Sequence, residues 1–253
     1  MDSTISNPDP KKSTIFFIIT TIIYGVFVVS NILASTTTEE VENINSNSIY
    51  ILVYILLLII GMFAINLNIA KMICPADKVS IQSIFFSTLL PWLFIFGILY
   101  IVLEIFTGWV KPFSNTIGYF IVNLLDLEST IKKILIKPDE NTDNNKSVAI
   151  AISKINKNYS KFINEFDIES NLYKIFIQKL SNEKIIKIPN DDSKEKEEII
   201  HLFKLINIKH LIGKLVWYIL AGSIVTSVSY NYIINMRCNQ SIEELQRAIS
   251  ISS

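Results

Sequence analysis

Four stretches of this chain carry no charged side chain, and each is long enough to cross a bilayer as a helix. They cover residues 14–34, 49–70, 79–103 and 215–236; about 20 apolar residues span the roughly 30 Å of hydrocarbon. Backbone amides in that medium have no water to bond, so a single chain segment crosses as a helix that satisfies its own groups. The expected fold is therefore all-α, an integral membrane protein with four transmembrane helices and a helical extramembrane insertion between the third and fourth. Its expected parts are a polar N-terminal tail (1–13), a three-helix transmembrane unit (14–106), the insertion (107–214), the fourth helix (215–236) and a C-terminal tail (237–253). The first stretch follows Lys11 and Lys12 but exceeds the roughly 7–15 apolar residues of a signal peptide, and it reads as a retained span.

Half of the 253 residues are hydrophobic and 18% are charged, and the mean hydropathy is +0.41. Lys plus Arg and Asp plus Glu both total 23. With no net charge there is no basic field to hold nucleic acid, and no nucleic-acid partner is expected. The short loops carry an orientation signal, because basic residues are retained on the cytoplasmic side. Lys11 and Lys12 precede the first span, the loop 35–48 has Glu39, Glu40 and Glu42 and no basic residue, and the second loop has Lys71 and Lys78. That places the N-terminus inside, and four spans return the C-terminal tail, with Arg237 and Arg247, to the same side.

Polar and small residues within the spans are expected to face other helices, where interhelical hydrogen bonds replace lipid contact. Asn66, Asn231 and Asn235 are the principal candidates. Tyr50, Trp92, Tyr100, Trp109, Trp217 and Tyr218 are expected near span ends as interfacial anchors. Pro91, about a dozen residues into the third span, removes a backbone donor and predicts a kink. Glu104 lies near the end of the same span, where an interfacial position suits it.

The insertion reads as a series of amphipathic helices over 112–125, 127–136, 146–163 and 169–179, with 199–211 leading into the last span as one continuous helix. A polar stretch at 138–145 breaks the pattern, and 190–198, nearly all charged or polar, reads as a solvated turn or helix start. Catalytic chemistry is hard to assemble from these residues. His201 and His210 have no cysteine or carboxylate at a zinc-site spacing, and the chain has no phosphate-cradling glycine loop, GxSxG elbow or HExxH. No enzyme activity, metal, cofactor or small-molecule substrate is expected. Cys74 and Cys238 follow the second and fourth spans closely and fall on one membrane face. Two free thiols suit a reducing cytoplasmic side, and a pair tying the second loop to the C-terminal tail is the alternative.

Two passages carry a resemblance. WVKPFSNTIGY, from Trp109 to Tyr119, and SYNYIINMRC, from Ser229 to Cys238, resemble segments of small multi-spanning virion membrane or minor capsid proteins of nucleocytoplasmic large DNA viruses. The resemblance implies a component of a virion inner membrane, derived from host endomembrane, whose partners are the bilayer and other capsid or membrane proteins. Read physically, Trp109 anchors at the headgroups, Lys111 snorkels, Pro112 stops the helix, and Ser114 or Asn115 caps the next one. Trp217 is the matching anchor on the fourth span. The function expected is structural, a membrane anchor whose insertion binds a protein layer. The alternatives are a small ion channel or transporter, for which Asn66, Asn68, Glu104 and Asn231 speak, or a host membrane-shaping factor.

Overall fold

A computed structural model describes residues 9, 11–75, 78–137, 146–187, 194–236 and 238. The described residues are almost entirely helical and form no strand. Four helices are long and apolar enough to cross a membrane: Lys11–Ala34, Thr38–Ile73, Ile81–Ile105 and Lys196–Asn235. The first three leave most of their apolar windows uncovered, as lipid-facing helices do, whereas half of the last is buried. Residues 138–145, the 190–193 part of the expected 190–198 stretch, and the C-terminal tail apart from Cys238, with Arg237 and Arg247, lie outside the described residues, while 194–198 open the last helix.

In chain order the helices are α1 (Lys11–Ala34), α2 (Thr38–Ser46), α3 (Ser48–Ile73), α4 (Ile81–Ile105), α5 (111–124), α6 (Leu127–Ile134), α7 (Lys146–Lys157), α8 (Tyr159–Ile163), α9 (Ser170–Asn182) and α10 (Lys194–Asn235). The 42 residues of α10 make a rod of about 60 Å at 1.5 Å per residue, twice the thickness of the hydrocarbon. Only part of it can be a span.

Two compact units are present, and their division does not follow the chain. The first comprises the described residues up to Ile23, Ile49–Ile105 and those from Tyr218 onward. The second joins Tyr24–Ser48 to Phe106–Trp217, so the segment around α2 belongs with the long insertion rather than with the neighbouring spans. Both α1 and α10 contribute residues to each unit.

Aromatic rings fill the centre of the first unit. Trp92 is 1% exposed, between Phe17 at 5.7 Å and Phe96 at 5.3 Å, and Tyr218 packs on Phe96 and Tyr54. Trp92 and Tyr218 are thus core rings and not interfacial anchors, because both face neighbouring helices. Ile69, Ala70, Ile84 and Ile233 form a separate aliphatic layer. Pro91 is carried within α4 by a π-helical stretch, Trp92–Phe96. A proline removes the N–H that would bond the carbonyl four residues back. Here that carbonyl, on Ser87, accepts instead from the Ser229 hydroxyl at 3.1 Å.

In the second unit α10 is the central rod. From Leu202 to Leu211 every residue except Lys204 is buried, the pattern of a helix enclosed on all sides. The other helices lay their apolar faces on it, with Phe162, Phe166, Tyr173 and Phe203 forming a chain of ring contacts at 4.7–5.6 Å. The Tyr173 hydroxyl, buried with its ring, donates to the Ile199 carbonyl at 2.7 Å, and burial raises its pKa well above the ordinary phenol range. Leu135 and Ile186 pair in an isolated antiparallel bridge that ties the end of α6 to the chain after α9.

The loop expected over 35–48 contains α2. Thr37 caps it, its side chain accepting the Glu40 N–H at 3.2 Å, while Glu40 folds back to the Thr36 N–H at 2.7 Å. This is the capping-box logic of Thr-x-x-Glu displaced by one residue. Four contacts then bind the segment into the second unit. Glu39 pairs with Lys174, Glu42 accepts from the Ser170 N–H at 3.2 Å, Asn45 donates to Asn207 at 2.9 Å, and Lys204 donates to the Leu33 carbonyl at 2.9 Å.

Candidate functional site

The polar residues expected to pack helices separate into two kinds. Asn66 is wholly buried, and its amide donates to Thr88 Oγ1 and Ser229 Oγ, both at 2.8 Å. Thr88 in turn donates to the Ile84 carbonyl at 2.9 Å, and Ser229 to that of Ser87. One side chain from α3 therefore bonds α4 and α10 together, at the turn where Pro91 interrupts α4. Asn231 and Asn235 differ from expectation. Both lie on an exposed side of α10, and Asn235 satisfies its amide on the Asn231 carbonyl of its own helix at 2.8 Å. Their spacing of four residues makes this local bond available, so no neighbour is needed.

Cys74 and Cys238 are joined by a disulfide, with Cα atoms 5.6 Å apart, within the ordinary range for such a bond. It ties the chain after the second span to the chain after the fourth, across 164 residues of sequence.

The Trp109–Tyr119 passage is a helix-packing element. Trp217 Nε1 donates to the Trp109 carbonyl at 2.8 Å, and its ring meets those of Trp109 and Phe113 at 6.2 and 5.1 Å. Trp109 is largely exposed, as is Lys111. Pro112 opens α5 instead of stopping a helix, because in the first turn its missing N–H is unbonded in any case. Ser114 and Asn115 are consequently inside α5 and cap nothing. Glycine permits the crossing beneath them. A Cβ on Gly118 would stand 2.4 Å from the Lys209 carbonyl oxygen, and one on Gly213 2.9 Å from the Ser114 nitrogen, so the two backbones meet where each presents a glycine.

That close crossing places Asn115 against α10. Lys209, 5% exposed, donates from Nζ to Asn115 Oδ1 at 2.9 Å and to Asn164 Oδ1. His210, the next residue, is 7% exposed, and among the described residues its Nε2 has no hydrogen-bond partner. Both line a polar cavity of about 410 Å³ in the second unit, together with Lys111, Ser114 and the segment 164–169. Lys209 and His210 stand out in the sequence only as polar residues in an otherwise apolar run before the last span. Their burial and their shared cavity depend on α5 and the 164–169 segment, which are distant in the chain. Among the described residues no group of three or more His, Cys, Asp or Glu side chains is arranged to hold a metal.

Comparisons with protein-family models, curated proteins and solved structures returned no match for this chain.

Proposed function

We propose that this chain is a structural membrane protein, in which apolar helices anchor a helical module that engages a protein layer beside the bilayer. The observation that carries the reading is the compactness of the second unit. Residues 24–48 and 106–217 form a body with its own buried aromatic core, built on a helix that continues into the fourth span. A module tied by α1 and α10 to two separate spans is suited to transmit load between a protein contact and a membrane. The resemblance of the 109–119 and 229–238 passages to virion membrane and minor capsid proteins supports a viral capsid as that layer.

The packing of the first unit supports a structural role over a channel. The amide NH2 group of the wholly buried Asn66 is committed to hydrogen bonds that hold three helices together, and aromatic rings occupy the middle of the unit. Crosslinking of native membranes or particles followed by mass spectrometry tests the proposal. Links from lysines of the second unit, such as Lys132, Lys161 and Lys179, to one abundant scaffold protein are the expected result. Recovery of links only within the chain, together with ion or solute flux in reconstituted liposomes, overturns it.

A further inference from the structure

The second unit buries a lysine without a counter-charge. Lys209 Nζ meets two neutral amide oxygens, and among the described residues no carboxylate pairs with it or with Lys111. The charged group that acts on it most directly is Lys111, of like sign. Taking an ammonium out of water is costly unless an opposite charge accompanies it. Just over one turn further along, Lys214 is also buried, and it and Lys209 flank the unpartnered His210 imidazole. Lys209, Lys111 and His210 are gathered at a cavity of about 410 Å³, inside the range of small-molecule sites, roughly 300–1,000 Å³. The same cavity is lined by Glu165, Asp167 and Glu169, and among the described residues none of these forms an ion pair with Lys209 or Lys111. One cavity thus brings together the buried Lys209 and the exposed Lys111, neither ion-paired among the described residues, the unpartnered His210 imidazole, and three exposed carboxylates.

We propose that this cavity binds an aminoalkyl phosphate, the zwitterion of a phospholipid headgroup. The phosphate sits against Lys209, Lys111 and His210, supplying the missing counter-charge, and the ammonium faces Glu165, Asp167 and Glu169. Two positions in the chain favour a lipid source. Lys111 lies six residues after α4 ends at Ile105, and Lys209 lies six residues before the apolar run that begins at Leu215. Lysines next to spans are placed to meet headgroups.

The full chain, purified in detergent and incorporated into nanodiscs, provides the test. Native mass spectrometry measures retained phosphatidylethanolamine and phosphatidylglycerol, and titration calorimetry measures free phosphoethanolamine and inorganic phosphate. Phosphatidylethanolamine is expected to be retained over phosphatidylglycerol, with Lys209→Gln weakening it at least tenfold and Lys111→Gln severalfold. Lys111 is exposed, so that variant reports on the site even where Lys209→Gln fails to fold. Binding of free phosphoethanolamine as tight as that of the lipid supports the chemistry and assigns a soluble source; binding of the lipid alone assigns the membrane. Retention of either ligand unchanged by Lys111→Gln and Lys209→Gln, or no binding above that of inorganic phosphate, overturns the proposal. Failure of the scaffold-crosslinking test leaves this result untouched, because the two readouts share no partner.

Discussion

Ser229 shows how one hydroxyl compensates a backbone defect. Pro91 leaves the Ser87 carbonyl without its α-helical donor, and in hydrocarbon an unbonded carbonyl has no water to turn to. Ser229 provides the bond and receives one from Asn66. Ser229→Ala should therefore lower stability by about 1–3 kcal/mol, the cost of leaving buried polar groups unsatisfied. In a Pro91→Ala background the cost should shrink, since alanine at that position restores the N–H. A double-mutant cycle read by thermal unfolding in detergent checks this; equal costs of Ser229→Ala in the two backgrounds would show that the hydroxyl and the proline are uncoupled. The sequence displays Asn66, Pro91 and Ser229 as separate exceptions in apolar runs. Nothing in their spacing says that they meet, because that depends on the register of three helices.

Helices here are fixed by caps and crossings as much as by their apolar faces. α2 is short and acidic, and its start rests on the Thr37 side chain. Thr37→Ala removes a cap worth about 0.5–2 kcal/mol, so backbone amides of 38–42 should exchange hydrogen markedly faster, while those of α3 remain as protected as before. The crossing of α5 over α10 is more sensitive. Gly118→Ala would force a methyl against the Lys209 carbonyl, and overpacking of this kind costs about 1–3 kcal/mol. Because that crossing also sets Asn115 beside Lys209, the variant should lose stability and loosen the cavity together, whereas Gly108→Ala, with open space around its Cβ position, should do neither. Unfolding midpoints of the two variants in detergent decide the matter. The periodicity of 112–125 is enough to predict α5, but the role of Gly118 stays hidden, since a glycine in a helical run reads the same whether it faces solvent or another backbone.

At the scale of the whole molecule, a single disulfide joins two segments of the first unit, the chain after α3 and the chain after α10. Closing a loop this long stabilises by about 2–4 kcal/mol in most proteins, so Cys74→Ser should lower the unfolding midpoint, and Cys238→Ser by a similar amount, with no further loss in the double variant. In purified unreduced protein neither thiol should react with an alkylating reagent, a result that intact mass measures directly. The bond also bears on orientation. Lysines at 71 and 78 assign the second loop to the cytoplasm, where reduction is the rule, whereas a disulfide forms in an oxidising compartment. Two lysines are a weak bias, and a disulfide weighs toward the opposite, oxidising side. A glycosylation acceptor engineered into the loop between α3 and α4 should accordingly be modified in microsomes; an unmodified loop in protein whose thiols are nonetheless blocked would place an oxidised pair on the cytoplasmic side.

The fold class was legible in the sequence, because long uncharged stretches leave a backbone few options in lipid, and amphipathic spacing shows helices wherever one face is buried. The continuation of 199–211 into the last span was legible for the same reason, as an unbroken pattern leading into an apolar run, whereas 194–198, which open the 42-residue α10, read only as a polar turn or helix start. Tertiary structure alone decided which residues share a unit. It drew 24–48 into the body formed by 106–217, turned Trp92 from an interfacial ring into a core one, and left Asn231 and Asn235 outside the seam that Asn66 occupies. Those outcomes depend on helix register and on a few close approaches between backbones, and periodicity along one helix carries no information about what stands opposite. The buried charge of Lys209 belongs to the same class, since its exposure is set by α5 and the 164–169 segment, both remote from it in the chain.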